Sequence, residues 1–82
     1  MFFVYILRSE VDGGYYIGAA KDVSERIAQH NAGVSLSTRS RRPWKLAYTE
    51  AYETLSQARR REQQIKSWKN PAYMVKKLGF GG

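Results

Sequence analysis

Residues 3–18, Phe3-Val4-Tyr5-Ile6-Leu7-Arg8-Ser9-Glu10-Val11-Asp12-Gly13-Gly14-Tyr15-Tyr16-Ile17-Gly18, decide the fold. They read as two short strands joined by a tight turn. Phe3 to Leu7 is wholly apolar or aromatic and bounded by charge, whereas Tyr15 to Gly18 is aromatic and β-branched and ends in glycine. Asp12-Gly13-Gly14 is a hairpin signal, because Asp and Gly tolerate the positive φ that such turns require. Two registers are open. If Val11 pairs with Gly14, Tyr5 lies opposite Ala20; if Ser9 pairs with Gly14, Tyr5 lies opposite Gly18 and Tyr16 opposite Leu7. Both put Tyr5 and Tyr16 on one face, since side chains alternate with period two, and a one-residue slip would part them. In the second register Gly18 leaves room beside Tyr5 for close approach of another group.

Working outward, the 82 residues suit one domain over residues 1–82, with a thin core that buries only ~60–65% of the unfolded surface. There is no cysteine and one histidine, so disulfides, thiol nucleophiles, cysteine-held zinc and histidine-cluster metal sites are excluded. The N-terminal apolar run is too short for a signal or membrane helix, which points to a soluble cytoplasmic protein with no membrane partner. The net charge of +7 is unevenly placed. Residues 1–38 carry three basic and four acidic side chains; residues 39–82 carry eleven basic against Glu50, Glu53 and Glu62. A basic half interleaved with aromatics points to a nucleic-acid partner.

Asp22-Val23-Ser24-Glu25 predicts a helix start, with Asp22 capping Glu25 and Glu25 reaching back as in a capping box. That helix runs to about Asn31, with Val23, Ile27 and Ala28 as its apolar side and Gly33 at its left-handed end. Arg26 and His30, four apart, share one face. Residues 33–43 are a polar connection with a short helical turn. Trp44 to Tyr52 reads as a third strand in which Leu46, Tyr48, Glu50 and Tyr52 alternate with Ala47, Thr49 and Ala51. Thr54 and Gln57 form a second capping box, opening a helix to about Lys69. Its inward stripe is Leu55, Ala58, Ile65 and Trp68, and Glu62 falls on that line. Asn70-Pro71 starts a last helix with Met74, Val75 and Leu78 inward and Gly79 at its end. The order is β-β-α-(α)-β-α-α. This is an α+β (α/β) architecture: a three-stranded antiparallel sheet, the first strand central because it is apolar on both faces, flanked by helices.

Five residues stand out: Tyr5, Tyr16, Arg26, His30 and Glu62. Singly, each has a plain explanation: sheet fillers, a solvated helix cation, a helix-end histidine, a partner for Lys66. Glu62 is the exception, since a carboxylate on an apolar line needs a cation, hydrogen bonds or a metal. Together they fit phosphodiester hydrolysis. Glu62 supplies an oxygen ligand for a hard divalent ion, and Arg26 a fork of donors for developing phosphoryl charge. A phenol titrates near ~10, so Tyr5 as a base needs cationic neighbours, and His30, near ~6.5, is the natural relay.

These residues carry a resemblance to the GIY-YIG nucleases, and within them to small stand-alone single-domain members of the UPF0213 type. The likeness rests on Val4-Tyr5-Ile6-Leu7, Tyr16-Ile17-Gly18, Arg26 with His30 and Asn31, Thr38-Arg39 before Arg42-Pro43, and Arg61-Glu62 with Ile65-Lys66. It spans residues 2 to about 69. It implies one Mg²⁺ or Mn²⁺ held by Glu62, Tyr5 as general base or relay, Tyr16 near the phosphate, Arg26 at the transition state and His30 in proton transfer. Three departures are visible. The first motif lacks its glycine, having Phe3-Val4-Tyr5. Ala19-Ala20 stands where many members have a hydroxyl. Asn70, nearest to the family's late asparagine, is already explained as a helix cap.

The leading expectation is a metal-dependent endonuclease hydrolysing DNA, structure-specific for branched or damaged substrates in repair or recombination, with RNA still open. Arg39, Arg42 and Lys66 are its candidate nucleic-acid contacts. The alternatives are a nucleic-acid-binding module with little or no cleavage, and a basic adaptor for a protein or membrane surface. For the oligomeric state, a monomer and a weak dimer are both open.

Overall fold

The computed structural model describes residues 1–80; Gly81 and Gly82, counted in the expected domain 1–82, lie outside the described residues. The elements are β1 (Phe2–Ser9), β2 (Tyr15–Ala20), α1 (Val23–Asn31), α2 (Leu36–Arg39), β3 (Trp44–Tyr52), α3 (Leu55–Ser67) and α4 (Pro71–Leu78). The sheet is antiparallel in the order β2-β1-β3, so the first strand is central as its two-sided apolar pattern predicts. Of the two hairpin registers, the one placing Tyr5 opposite Gly18 and Leu7 opposite Tyr16 is adopted. The turn explains the choice. Ser9 N donates to Gly14 O, Gly13 takes φ +72°, and the Asp12 carboxylate accepts from Gly14 N. The Ser9 hydroxyl accepts from Val11 N and Asp12 N, so Glu10 to Gly13 are spent in the turn and unavailable for pairing.

The pleat sends alternate side chains of β1 to opposite faces of the sheet. Val4 and Ile6 face α3 and α4, forming a core with Ala58, Ile65 and Met74 that Ile17, Tyr48 and Trp68 complete. Tyr5 and Leu7 face the other way, with Trp44, and Tyr16, Ala20, Val23 and Ile27 pack on them. Fully burying an aliphatic side chain contributes about 1.5–3 kcal/mol, so two small cores on one strand share a thin total. Among the described residues no helix is long and apolar enough to cross a membrane.

Several local expectations are corrected. Strict alternation along β3 fails because the ladder shifts between Ile6 and Leu7: Ile6 pairs with Tyr48 but Leu7 with Leu46, leaving Ala47 as the extra residue. This bulge turns Leu46 to the face opposite Tyr48, where it is half exposed. Ala28 is exposed rather than apolar lining, and Leu55 stands exposed at the start of α3. Asp22 does cap Glu25 N, but the Glu25 carboxylate accepts from Gln29 instead of reaching back. Thr54 and Gln57 form the full capping box. α3 ends at Ser67, short of Lys69, which takes a left-handed φ of +57° between α3 and α4. Gly33 and Gly79 occupy the left-handed positions expected after α1 and α4.

Candidate active site

The Tyr5 face of the sheet brings four of the five candidate residues together. The adopted register lays the Tyr5 ring across Gly18: a Cβ there would lie 2.5 Å from Tyr5 Oη. Glycine at this position is therefore a steric requirement for where the phenol points. Tyr16, two residues before Gly18, shares the face, with ring centroids 6.3 Å apart. α1 covers both rings. Its fourth-residue spacing sends Arg26 and His30 to the same side, and His30 packs 4.6 Å from the Tyr16 ring, centroid to centroid.

Hydrogen bonds join three elements. The Tyr5 hydroxyl lies 3.4 Å from His30 Nε2, and His30 Nδ1 lies 2.9 Å from Thr38 Oγ1 on α2. All three residues are about 1% exposed. Arg26 is half-buried, gives Nη1 to Gln29 at 2.7 Å, and has no acidic partner among the described residues. Beside it opens a hollow of 410 Å³ lined by Ala20, Lys21, Asp22, Glu25 and Gln29. Burial pushes the Tyr5 phenol above its ordinary value of 10, with Arg26 opposing the shift. Burial also lowers His30 below 6.5, and the Arg26 charge adds to that effect. At neutral pH the pair is a phenol beside a neutral imidazole. The cationic neighbour that a phenolate base would need is present, but burial outweighs it.

Glu62 arrives from the other side. α3 packs against β2 and β1 on the Val4–Ile6 face, and Glu62 is buried between Ala58 and Ile65. One carboxylate oxygen accepts from Lys66 Nζ at 2.6 Å; the other has no hydrogen-bond partner among the described residues. No hydrogen bond joins Glu62 to the other four, though its charge reaches Tyr5 and adds slightly to the upward push on that phenol. Lys66 is thus tied to Glu62. Arg39 and Arg42 are exposed and without acidic partners among the described residues, both close to Gly33. Asn70 caps α4 by accepting from Tyr73 N. No group of three or more His, Cys, Asp or Glu side chains is placed to hold a metal among the described residues.

Two features escaped the sequence reading. Thr38 was read only as part of a motif, and nothing local signals that its hydroxyl meets an imidazole eight residues away. The second is a polar cluster on the opposite face. Glu50 accepts from Tyr48 Oη at 2.5 Å, from Tyr52 Oη at 2.7 Å, and from Arg61 through Nε at 2.9 Å and Nη2 at 3.1 Å. Alternation along β3 hinted at it by placing Tyr48, Glu50 and Tyr52 together, but the arginine comes from α3.

The GIY-YIG catalytic domain model matches residues 1–77. UPF0213 proteins of Staphylococcus aureus strains Mu3 and N315 are each 48% identical over 67 residues, covering 80% of this chain and 80% of theirs. A UPF0213 protein from Bacillus halodurans, solved by solution NMR, is 38% identical, covers 82% of this chain and 72% of its own, and superposes with a TM-score of 0.49.

Proposed function

This chain belongs to the GIY-YIG catalytic domain family and groups with the UPF0213 proteins, and from that premise we propose that it is a divalent-metal-dependent endonuclease hydrolysing phosphodiester bonds in DNA. The family is one of nucleases, so a nucleic acid is the substrate class. The observation that carries the reading here is Arg26: a half-buried guanidinium with no carboxylate partner among the described residues, facing two phenols and a neutral imidazole beside an open hollow. A cation left without an acid in such a place is ready for a phosphate, whose developing charge it stabilises through a fork of donors.

The proton path follows from the two protonation states. Tyr5 is protonated and His30 is not, so Tyr5 works as a relay. It receives the proton of the attacking water at Oη while its own passes to His30 Nε2. Tyr16, its ring tilted against His30 and on the same face as Tyr5, would touch the phosphate. Glu62 would hold Mg²⁺ or Mn²⁺. Its donor set fits, since one carboxylate oxygen has no hydrogen-bond partner among the described residues and Mg²⁺ commonly binds through one or two carboxylates while keeping waters and taking substrate oxygens. When bound, the ion supplies Lewis-acid polarisation of the phosphate. Arg39 and Arg42 guide the nucleic-acid backbone, and Lys66 neutralises charge beside Glu62. Branched or damaged DNA is the proposed substrate structure, and the cytoplasm the proposed compartment.

The test is Mg²⁺-dependent cleavage of plasmid and branched DNA by the wild type, Glu62→Ala and Arg26→Ala. Both variants should lose cleavage while retaining DNA binding. Cleavage that survives Glu62→Ala removes the metal assignment. The Lys66 ion pair on Glu62 favours a second reading, a DNA-binding module with little cleavage. Salt-sensitive binding by a wild type that never cuts would establish it.

A further inference from the structure

The hydrogen-bond arithmetic around His30 assigns a role to Thr38, resting on the relay proposed above. His30 is the chain's sole histidine, and its ring is enclosed by Tyr5 from β1, Tyr16 from β2, Arg26 from α1 and Thr38 from α2. None of these is a carboxylate. Tyr5 Oη is buried beside the Arg26 guanidinium, and among the described residues its hydrogen-bond acceptor is His30 Nε2. Arg26 nearby only donates, so it cannot take the phenol proton. A phenol is protonated at neutral pH, titrating near ~10, and a buried hydroxyl proton without an acceptor is costly. The Thr38 hydroxyl has the same imidazole as its side-chain partner, so the relay decides between the two: it needs Nε2 bare towards Tyr5, and the Tyr5 O–H donates there. Nε2 is then the bare nitrogen, the proton of the neutral imidazole sits on Nδ1, and Nδ1–H donates to Thr38 Oγ1 at 2.9 Å.

We propose that Thr38 is a positioning residue: its hydroxyl oxygen accepts the Nδ1 proton of His30, holding the tautomer whose Nε2 faces Tyr5. When Tyr5 Oη gives up its proton, the O–H bond breaks, an Nε2–H bond forms, and Tyr5 oxygen is re-protonated by the attacking water. The imidazolium that results keeps both N–H groups hydrogen-bonded, to Tyr5 and to Thr38, inside a buried site. Thr38 is itself fixed, because its carbonyl accepts from Trp44 Nε1 at 3.0 Å. The start of β3 is locked in turn to α1 by Asn31, whose amide both donates to Trp44 O and accepts from Trp44 N. α2 thus presents one hydroxyl inward while Leu36 and Arg39 face solvent.

The experiment uses the single imidazole. Nitrogen-15 NMR of uniformly labelled wild-type protein at pH 7 should show His30 protonated at Nδ1 and bare at Nε2; the opposite tautomer overturns the proposal. Thr38→Val should lower the His30 titration midpoint and let the tautomers mix, and Thr38→Ser should restore both. An unchanged midpoint and tautomer in Thr38→Val also overturn it. In cleavage assays Thr38→Val should reduce kcat about tenfold with KM unchanged, and Thr38→Ser should recover it. If Thr38→Val does not fold, the wild-type spectrum and Thr38→Ser still decide. A wild type that cleaves nothing would end the nuclease reading, while the spectra judge the Thr38–His30 assignment independently.

Discussion

The two faces of the sheet carry near-matching polar clusters. On one, Tyr5 and Tyr16 stand with Arg26 and His30; on the other, Tyr48 and Tyr52 stand with Arg61 and Glu50. Each has two phenols, one guanidinium and one further titratable group. The difference lies in that last member. Glu50 collects both phenol protons and two donors of Arg61, and Arg61 also gives Nη1 to Gln64 and lies over the Trp68 ring. Burial alone would raise Glu50, but the hydrogen bonds from Arg61, Tyr48 and Tyr52 outweigh it and hold the carboxyl below its ordinary value. Tyr48 is pushed up to about 12, by burial and by the carboxylate it serves. That cluster is closed. The other has a neutral imidazole where the carboxylate would be, so Arg26 keeps donors for an anion from outside. The same side chains make a brace when an internal acid completes them, and the proposed phosphate site is the cluster in which none does.

The sharpest way to break this contrast is to remove each arginine. Arg26→Ala should cut DNA cleavage by about 10²–10³-fold, the usual consequence of losing a donor to transition-state charge, with little change in urea midpoint. Arg61→Ala should do the reverse. It leaves a half-buried Glu50 with only its phenols, which costs about 2–3 kcal/mol of stability, while cleavage per folded molecule is kept. Parallel losses of activity in both variants would dissolve the distinction. A weaker blow falls on Gly18→Ala, because the new methyl must displace the Tyr5 hydroxyl now lying 2.5 Å from its position. A cost of about 1–2 kcal/mol is expected from overpacking, accompanied by loss of cleavage; a fully active Gly18→Ala would show that the phenol's direction is irrelevant.

Local grammar made much of this legible. The strand order, the caps at Thr54 and Asn70 and the left-handed glycines are written in neighbouring residues, where φ preference and orphan amides act over a few positions. The hairpin register came down to how many residues the turn consumes, which Ser9 decides through two backbone amides. The bulge at Ala47 was hidden because period two reads equally well on either side of it. Arg26 and His30 could be grouped because helix spacing fixes their common face. Thr38 and the Glu50–Arg61 pair could not, since those contacts depend on how separate elements dock. Glu62 shows the boundary case. Its burial was legible from the apolar line on which it sits, but which face of the sheet its helix covers was not.

The last test separates the clusters by pH alone. The unfolded imidazole titrates near about 6.5, and the folded His30 lies lower because burial and Arg26 disfavour its charge. Below about pH 6.5 the unfolded chain therefore binds more protons at this position. Stability from His30 is complete above that pH and declines as pH falls towards the lowered folded value. Glu50 has the same sign in a lower window. Its folded pKa is depressed, so its contribution is complete above the unfolded carboxyl value near about 4.3 and is lost as pH falls through the folded one. Urea midpoints measured from pH 8 to pH 3 should show two declines. His30→Gln should remove the upper one and leave the lower; Glu50→Gln should weaken the lower one, which Asp12, held down to about 2 by Arg41, shares, and leave the upper. A wild type whose stability is flat between pH 7 and pH 5 would mean that His30 charges freely in the fold. The relay through Tyr5 would then lose its neutral acceptor, and the open cluster its proton sink.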